Sequence, residues 1–300
     1  MTLRARLMRI LLDEDVNFLL TNRLPRRLAT RVVGRVSRVE HSLVRIPALA
    51  LWRFFSGADL SDAADRRFTS LHHAFTRALR PGARAPDPDP EVLVSPCDAI
   101  LGAHGAIEED RVYQAKGFPY RLGELLPDPV AADQVRGGAF ATLRLTAGMY
   151  HRFHAPADLA VRSVTYISGD CWNVNPIALK RVERLFCRNE RAVIEAELDD
   201  GTPLLIVAVA AILVASIRLT FLDTVALLRA GGPRRIACNA RLTKGEEMGW
   251  FEHGSTLIVF APPGVELLPD LMEGQPIRAG QAIAHLFAGT KLARRREDGR

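Results

Sequence analysis

A proline-rich segment, residues 81–90, divides the chain into two parts that have different sequence patterns. Four prolines fall within these ten residues, and proline lacks the backbone N–H that helices and sheet ladders require. Apolar residues recur at helical spacing before the segment, whereas short apolar and β-branched runs alternate with turn residues after it. We predict a helical region over residues 1–80, a linker over 81–90, a β-rich domain over 91–290 and a charged tail over 291–300.

The predicted fold class is α+β, because helices and strands occupy separate parts of the chain. The β-type runs are short and separated by turn signals, a spacing typical of a mainly antiparallel domain. The runs on which this prediction depends are Glu91–Val94, Ala139–Leu145, Leu159–Ile167, Ala192–Leu198, Pro203–Val209, Ile212–Leu219 and Leu257–Phe260.

The helical region contains a strongly basic segment. Seven arginines lie between Arg23 and Arg45 against one acidic residue, Glu40, and an aromatic cluster, Trp52–Phe55, follows. A basic amphipathic helix with nearby aromatic residues can lie in the interface of a bilayer. We therefore predict that residues 1–80 associate with a membrane. The alternative is a helix that packs on the rest of the protein and exposes a solvated basic face.

The overall charge favours an anionic partner. The chain carries a net charge of +6, which suits a lipid surface or nucleic acid. No helix-turn-helix, RNA-binding or zinc-finger pattern is present, so we predict no nucleic-acid partner. The longest apolar stretch, Leu204–Ile217, is shorter than the ~20 residues of a membrane-spanning helix and is rich in valine and isoleucine. Two buried strands are the better interpretation.

Three separated clusters supply candidate catalytic groups. Gly254-Ser255-Thr256 precedes an apolar run, Asp98 follows a Ser-Pro turn, and His151 and His154 lie within one short motif. An acid, two imidazoles and a hydroxyl are the parts of an Asp-His-Ser relay, which can activate a serine. Each group also has an ordinary interpretation: a turn serine, a solvated turn aspartate, or a histidine bonded to strand backbone.

The spacing of the two histidines is also found in metal sites. However, no third cysteine, histidine or carboxylate stands at a suggestive distance, and Pro156 disfavours a helix that would align His151 and His154. We therefore predict no metal.

The chain resembles the phosphatidylserine decarboxylase family from about Phe68 to its end. The family pattern often has leucine before Gly-Ser-Thr, where this chain has His253, and glycine after the aspartate, where it has Ala99. The matching stretches occur in the family's order and are Asp87–Asp98, Gln114–Gly117, Tyr150–His154, Leu185–Arg191 and Lys244–Phe251.

This resemblance implies an enzyme that matures by cutting its own chain. Ser255 attacks the Gly254 carbonyl, the peptide bond becomes an ester, and elimination leaves a pyruvoyl group in place of Ser255. The products are a β chain, residues 1–254, and an α chain, residues 255–300. The pyruvoyl group is the implied cofactor, and it forms a Schiff base with the amine of the substrate.

The resemblance also implies roles and partners. Asp98, His154 and Ser255 form the relay for cleavage, whereas His151 serves decarboxylation. The substrate is phosphatidylserine in a membrane, and the products are phosphatidylethanolamine and carbon dioxide. The enzyme is expected as a peripheral protein on the cytoplasmic side of the cell membrane, and self-association into a homo-oligomer is left open.

Two other functional classes fit parts of the sequence. A serine hydrolase using Asp98, His154 and Ser255 without self-cleavage predicts a single intact chain. A non-catalytic lipid-binding module, whose basic helices recognise anionic membranes, predicts that these three residues can change without chemical consequence.

Overall fold

A computed structural model describes residues 13–23, 25–115, 118–211, 217–224, 226–227, 234–252 and 254–286. The predicted tail 291–300 lies outside the described residues. So do the second half of the Gln114–Gly117 motif, His253 and the first residues of the predicted strand Ile212–Leu219.

Long helices are confined to the N-terminal part of the described chain. The two longest are Arg26–Val36 and Ser42–Ser56, and the second ends at Gly57, whose positive φ of 65° closes the helix in the left-handed conformation. A shorter helix, Glu14–Phe18, continues into a π-helical turn, Leu19–Arg23. The remaining described helices have six residues or fewer and are Leu71–Phe75, Leu122–Leu125, Pro129–Gln134, Pro176–Leu179 and Leu185–Arg188.

The rest of the described chain is built mainly of strands. In chain order they are β1 Val92–Val94, β2 Ala99–Ala106, β3 Arg111–Ala115, β4 Phe118–Arg121, β5 Ala139–Leu145, β6 Arg152–His154, β7 Leu159–Ile167, β8 Arg191–Leu198, β9 Pro203–Ala210, β10 Ile217–Leu219, β11 Arg234–Leu242, β12 Glu247–Phe251, β13 Ser255–Ala261, β14 Glu266–Leu267, β15 Pro276–Ile277 and β16 Ala282–His285.

One large antiparallel sheet dominates the architecture. Its eight strands lie in the order β11-β7-β8-β9-β13-β5-β2-β15, and smaller sheets are formed by β1-β16-β14, β10-β12-β6 and β3-β4. The strand pairs are antiparallel throughout these described sheets. The predicted α+β class with a mainly antiparallel sheet is therefore confirmed, whereas association of the N-terminal helices with a membrane stays a prediction.

The central strand β13 is buried on both faces. Leu257 and Val259 pack into one hydrophobic core, and Ile258 and Phe260 pack into a second core on the opposite face of the sheet. A strand covered on both sides needs apolar residues at successive positions, which explains the uninterrupted Leu-Ile-Val-Phe-Ala sequence. Ser255, the first residue of β13, therefore begins a strand that is buried at all seven positions.

A small sheet brings the histidine motif next to the segment that precedes Ser255. In this sheet β6 pairs with β12 and β12 pairs with β10. The strands approach closely at Gly249, where an added Cβ would lie 2.0 Å from the Arg218 carbonyl oxygen. Only glycine fits at this position, so the glycine of the Lys244–Phe251 motif sets the spacing of the sheet that carries His154.

The proline-rich segment lies against the β-rich part. The Asp87 N–H donates to the Gly280 carbonyl at 2.8 Å. The Lys244 ammonium donates to the carbonyls of Asp87 and Asp89 at 3.1 and 2.6 Å. These bonds fix the backbone of residues 81–90 on the surface of the β-rich part.

The helices before it also contact the β-rich part. Trp52 donates its indole N–H to the Ala147 carbonyl at 2.9 Å, and Arg38 forms an ion pair with Glu252 at 2.8 Å. None of the helices described has the length and apolar character needed to cross a bilayer.

Candidate active site

Ser255 lies where three strands of the large sheet meet. It pairs with Leu145 on β5 and with Ala210 on β9, and its side chain is fully buried. Directly paired residues on neighbouring strands share a face, and Leu145 and Ala210 both belong to the core that contains Phe153 of the histidine motif. The Ser255 hydroxyl has no hydrogen-bond partner among the described residues, which leaves it free to react.

The carbonyl of Gly254 is held by the neighbouring strand. Its oxygen accepts a hydrogen bond from the Ala211 N–H at 3.0 Å. Gly254 also borders a cavity of about 410 Å³. The polar residues on the wall of this cavity are Arg144, Thr146, Asn173 and Asn175.

Asp98 is buried beside the proline-rich segment. It follows the turn at Ser95-Pro96, in which the Ser95 hydroxyl donates to the Cys97 carbonyl at 2.8 Å. Arg84 grips the carboxylate with two nitrogens at 2.7 and 2.6 Å, and the Ala279 N–H donates to it at 2.9 Å. A bidentate, charge-assisted pair of this kind is among the stronger polar contacts in proteins.

His154 lies on the strand that pairs with the Lys244–Phe251 motif, and both of its ring nitrogens are bonded. Nδ1 lies 2.9 Å from the Gly245 carbonyl, which can only accept, so Nδ1 carries the proton. In the neutral ring Nε2 is then an acceptor, and the Tyr150 hydroxyl donates to it at 3.0 Å. Burial lowers the pKa of His154, and its bond to Gly245 offsets this only in part.

His151 is fully buried and has one free ring nitrogen. Nδ1 donates to the Met149 carbonyl at 2.8 Å, and Nε2 has no partner among the described residues. The Phe75 ring lies against the imidazole with 4.0 Å between centroids. Burial lowers the pKa of His151 to about 3, so at neutral pH the ring is uncharged and Nε2 presents a lone pair.

The structure places the Asp98 turn beside the histidine motif, but it does not join the predicted residues as a relay. The backbone N–H of His154 donates to the Pro96 carbonyl at 2.8 Å, so the Asp98 turn and the histidine motif are direct neighbours. However, among the described residues neither Asp98 nor Ser255 makes a hydrogen bond to His154, because Arg84 holds the carboxylate and Tyr150 occupies Nε2. The roles assigned to Asp98, His151, His154 and Ser255 stay predictions.

Two residues of this region were not identified from the sequence. Arg84 lies in the proline-rich segment, and nothing in the sequence around this arginine indicates that it would pair with Asp98, 14 positions later. Tyr150 directly precedes His151, and its position four residues before His154 was a signal that could have identified it.

The burial of His151 predicts a pH-dependent stability. An unfolded histidine titrates near 6.5, and the pKa near 3 in the folded chain means that the unfolded chain binds a proton first as the pH falls. The contribution of His151 to the free energy of unfolding is therefore fully present above pH 6.5 and is lost progressively as the pH falls below that value. From pH 7 to pH 5 we expect about 2 kcal/mol of the free energy of unfolding to be lost through this residue.

Denaturant unfolding at both pH values measures this loss. The variant His151→Gln in a Ser255→Ala background, which keeps the chain intact, should lose less stability over this range than Ser255→Ala alone. An equal loss in the two proteins would show that His151 is protonated as easily in the folded chain as in the unfolded one.

Comparison with known proteins identifies the family. The profile described as phosphatidylserine decarboxylase matches residues 71–285. A relative named phosphatidylserine decarboxylase proenzyme in Xanthomonas euvesicatoria pv. vesicatoria is 40% identical over 238 residues, which cover 76% of this chain and 84% of the relative. Proteins of the same name in Xylella fastidiosa and Shewanella baltica are 33% and 35% identical, over 89% and 91% of this chain and 93% and 97% of their own lengths. The chain therefore belongs to the phosphatidylserine decarboxylase family of enzymes.

Proposed function

We propose that this protein decarboxylates phosphatidylserine to phosphatidylethanolamine and carbon dioxide after cutting its own chain between Gly254 and Ser255. The observation that carries the proposal is the state of Ser255. Its hydroxyl is buried without a partner among the described residues, and it directly follows a carbonyl that borders a cavity. A structural serine at a buried strand position would normally have its hydroxyl hydrogen-bonded.

Self-cleavage and formation of the pyruvoyl group need only groups of this chain and one water molecule. A base takes the Ser255 hydroxyl proton, and Oγ attacks the Gly254 carbonyl carbon. The C–N bond then breaks, the nitrogen takes up a proton, and an ester joins the two residues. Removal of the Ser255 Cα proton and cleavage of the Cβ–O bond leave a Gly254 carboxylate and a dehydroalanine. Water then releases ammonia from the tautomeric imine, and a pyruvoyl group remains.

The proposed base is His154. Its lowered pKa keeps the imidazole neutral near pH 7, the state that can accept a proton. The lone pair of His154 Nε2 is the one that can accept a proton, and in the structure it accepts a hydrogen bond from the Tyr150 hydroxyl. Tyr150 must therefore turn away, or pass the proton along, for His154 to act on Ser255. The Asp98 charge favours the protonated imidazole, which is the supporting role expected of the acid in a relay.

The residues around Ser255 suit a pyruvoyl group as cofactor. Oγ is a buried polar atom without a partner among the described residues, and the adjacent cavity at Gly254 has room for a headgroup. When formed, the pyruvoyl group supplies an electron sink for decarboxylation of an amine. The chain's own contribution is to bind the headgroup, to exclude water and to carry protons.

His151 is the proposed proton carrier. In the free protein its Nε2 is unprotonated, so it must first gain a proton before it returns one to the substrate carbon. Phe75 lies against the His151 ring and also lines the cavity, so the charge of an anionic headgroup bound there would favour that protonated state. His151 therefore becomes a proton donor only when substrate is bound.

A cationic group on the cavity wall suits an anionic headgroup. Arg144 is partly buried, burial lowers its pKa, and its guanidinium has no hydrogen bond or ion pair to another described residue. The Glu273 carboxylate attracts this charge but forms no ion pair with it in the described structure. A partly buried charge without a bonded partner is costly, and a phosphate or carboxylate would satisfy it. We propose that Arg144 receives one of these groups of the lipid.

The surroundings of the cavity suit a lipid. A groove of about 550 Å³ lies among the N-terminal helices, and Ala147 is its one lining residue from the β-rich part. It shares Val33, Trp52, Leu71 and Ala147 with the cavity wall. The groove is lined almost entirely by apolar side chains, and acyl chains suit such a lining because burial of CH₂ groups is favourable. Because the groove adjoins the cavity, a headgroup bound near Gly254 would leave its acyl chains in apolar surroundings.

The N-terminal helices supply a surface for a membrane. Ten of the thirteen large apolar side chains that are exposed in the described structure lie within residues 19–54. Such a concentration marks an interaction site, and the arginines of the same helices favour an anionic surface. We propose that this face rests on the membrane and that the protein is peripheral.

The first prediction from this proposal concerns the state of the chain. Purified protein should consist of residues 1–254 and 255–300, and the smaller fragment should resist N-terminal sequencing because a pyruvoyl group has no amine. Ser255→Ala should remain whole and inactive. Mass spectrometry decides between this proposal and a serine hydrolase, since full-length protein with retained activity would exclude the pyruvoyl mechanism.

A second prediction separates the two histidines. His154→Ala and Asp98→Asn should block self-cleavage, because each removes part of the relay for Ser255. His151→Ala should cleave at least in part but release little carbon dioxide from phosphatidylserine. Both reactions are measured on the same samples, and identical behaviour of the two histidine variants would refute the division of roles.

A third prediction concerns the membrane. Leu43→Glu together with Ile46→Glu places two charges on side chains that are 80% and 59% exposed, so folding should be unaffected while co-sedimentation with anionic vesicles falls. Val130→Glu together with Met272→Glu is the control, because these equally exposed positions lie outside the N-terminal helices. Both proteins should still self-cleave, and equal sedimentation would show that the N-terminal helices do not bind the membrane.

A further inference from the structure

We propose that Asn189 is a positioning residue for self-cleavage, because it fixes the peptide group whose N–H stabilises the negative oxygen that forms at Gly254. The inference rests on the proposed function and adds to it a residue that lies outside the relay. It depends on three contacts: between Ala211 and Gly254, between Asn189 and Ala210, and between Asn189 and Trp172.

The first contact lies at the carbonyl that is attacked. When Ser255 Oγ bonds to the Gly254 carbon, the π electrons move to the Gly254 oxygen, which becomes an oxyanion. The Ala211 N–H already lies 3.0 Å from this oxygen, within the range expected of an oxyanion donor. A hydrogen bond to a charged oxygen is stronger than one to a neutral carbonyl, so this contact favours the transition state over the resting chain.

The second contact fixes the other end of the same peptide group. The Ala210 carbonyl and the Ala211 N–H belong to one planar peptide unit. The Asn189 side-chain amide donates to the Ala210 carbonyl at 2.9 Å. Because the unit is rigid, the bond at its carbonyl sets the direction of its N–H. It also polarises the unit, which strengthens the N–H as a donor.

The third contact locks Asn189 itself. Its amide nitrogen also donates to the Trp172 carbonyl at 2.9 Å, and its side-chain oxygen accepts from the Trp172 N–H at 2.8 Å. The side chain is fully buried, so water does not compete for these bonds. Asn189 is therefore held in one orientation before Ser255 reacts.

The position of Ala211 explains why such support is needed. Strand β9 ends at Ala210, so the Ala211 N–H stands at the last rung of the pairing with β13. On the other side, the Ala210 N–H donates to the Glu190 carbonyl at 2.9 Å. Asn189 and Glu190, two consecutive residues, thus both bond to the end of β9. In this proposal, the Leu185–Arg191 motif holds the end of β9 in place.

A second buried amide provides a matched control. Gln114 donates to the carbonyls of Leu179 and Val182 at 2.8 and 2.7 Å and accepts from the Leu185 N–H at 2.7 Å. It therefore donates two side-chain hydrogen bonds to backbone carbonyls and accepts one from a backbone N–H, as Asn189 does. Its bonds go to the segment 179–185 rather than to the end of β9.

The test measures self-cleavage in a cell-free translation reaction, in which the chain is pulse-labelled and its two fragments are followed with time. Removal of a direct oxyanion donor slows catalysis by about 100- to 1,000-fold. Asn189 acts through the peptide, so we expect Asn189→Ala to slow cleavage about 10- to 100-fold. Gln114→Ala should cleave within about threefold of the wild-type rate, and thermal unfolding of both variants in a Ser255→Ala background checks that each one folds.

A conservative variant separates positioning from general destabilisation. Asn189→Asp keeps the size of the side chain. An ionised carboxylate can only accept hydrogen bonds, so the variant cannot donate to the Ala210 carbonyl unless its carboxyl is protonated. Its cleavage rate relative to wild type should therefore rise as the pH is lowered from 8 to 6, whereas the relative rate of Gln114→Glu should not. Hydroxylamine, which splits the ester, should release less fragment from Asn189→Ala than from wild type at equal times.

The outcomes distinguish the two proposals. A wild-type chain that does not cleave would refute the proposed function. If wild type cleaves and Asn189→Ala cleaves equally fast, or if Gln114→Ala is slowed as much as Asn189→Ala, Asn189 has no positioning role.

Discussion

The antiparallel pairing of β13 with β9 and β5 is the interaction on which the site depends. This pairing sets Ser255 opposite Leu145 and Ala210, and it aligns the Gly254 carbonyl with the Ala211 N–H. Both faces of β13 are covered by hydrophobic cores, so a slip of one residue would move every side chain to the wrong core. The Gly254–Ser255 peptide bond is thus held in register by burial of residues that have no role in the proposed chemistry.

Burial also sets the protonation of the two histidines. His151 and His154 both have lowered pKa values, chiefly because the charged imidazole would lose its hydration. Both imidazoles are therefore neutral near pH 7, the state in which His154 can act as the proposed base. In the proposed function, the same effect means that His151 needs a bound anion before it can donate a proton, which would couple proton return to occupancy of the cavity.

The N-terminal helices and the proline-rich segment contact the site at several points. Arg84 holds the Asp98 carboxylate, and Arg38 pairs with Glu252, two residues before Gly254. Phe75 covers the His151 ring. The N-terminal helices, which are proposed to meet the membrane, and the proline-rich segment therefore both shape the surroundings of the proposed site residues.

The sequence by itself determined the fold class and most of the large sheet. Ala139–Leu145 and Leu159–Ile167 were predicted as strands with the bounds that the structure has, because apolar and β-branched residues in these runs can be satisfied only by burial in a sheet. Strand β11 was not predicted: it lies at the edge of the sheet and is mostly exposed, so its residues carry little hydrophobic pattern. Strand β2 was missed as well, since its two glycines and histidine weaken the β signal.

The sequence also identified the candidate site residues, through Gly254-Ser255-Thr256, Asp98 and the two histidines. Only the tertiary structure decided what each of them contacts. Arg84 donates hydrogen bonds to Asp98, Tyr150 donates one to His154, and Asn189 donates one to the peptide group beside Gly254. The first and last of these contacts join residues that lie 14 or more positions apart. Such contacts depend on how strands and turns pack in space, and the spacing of residues along a chain holds no record of that packing.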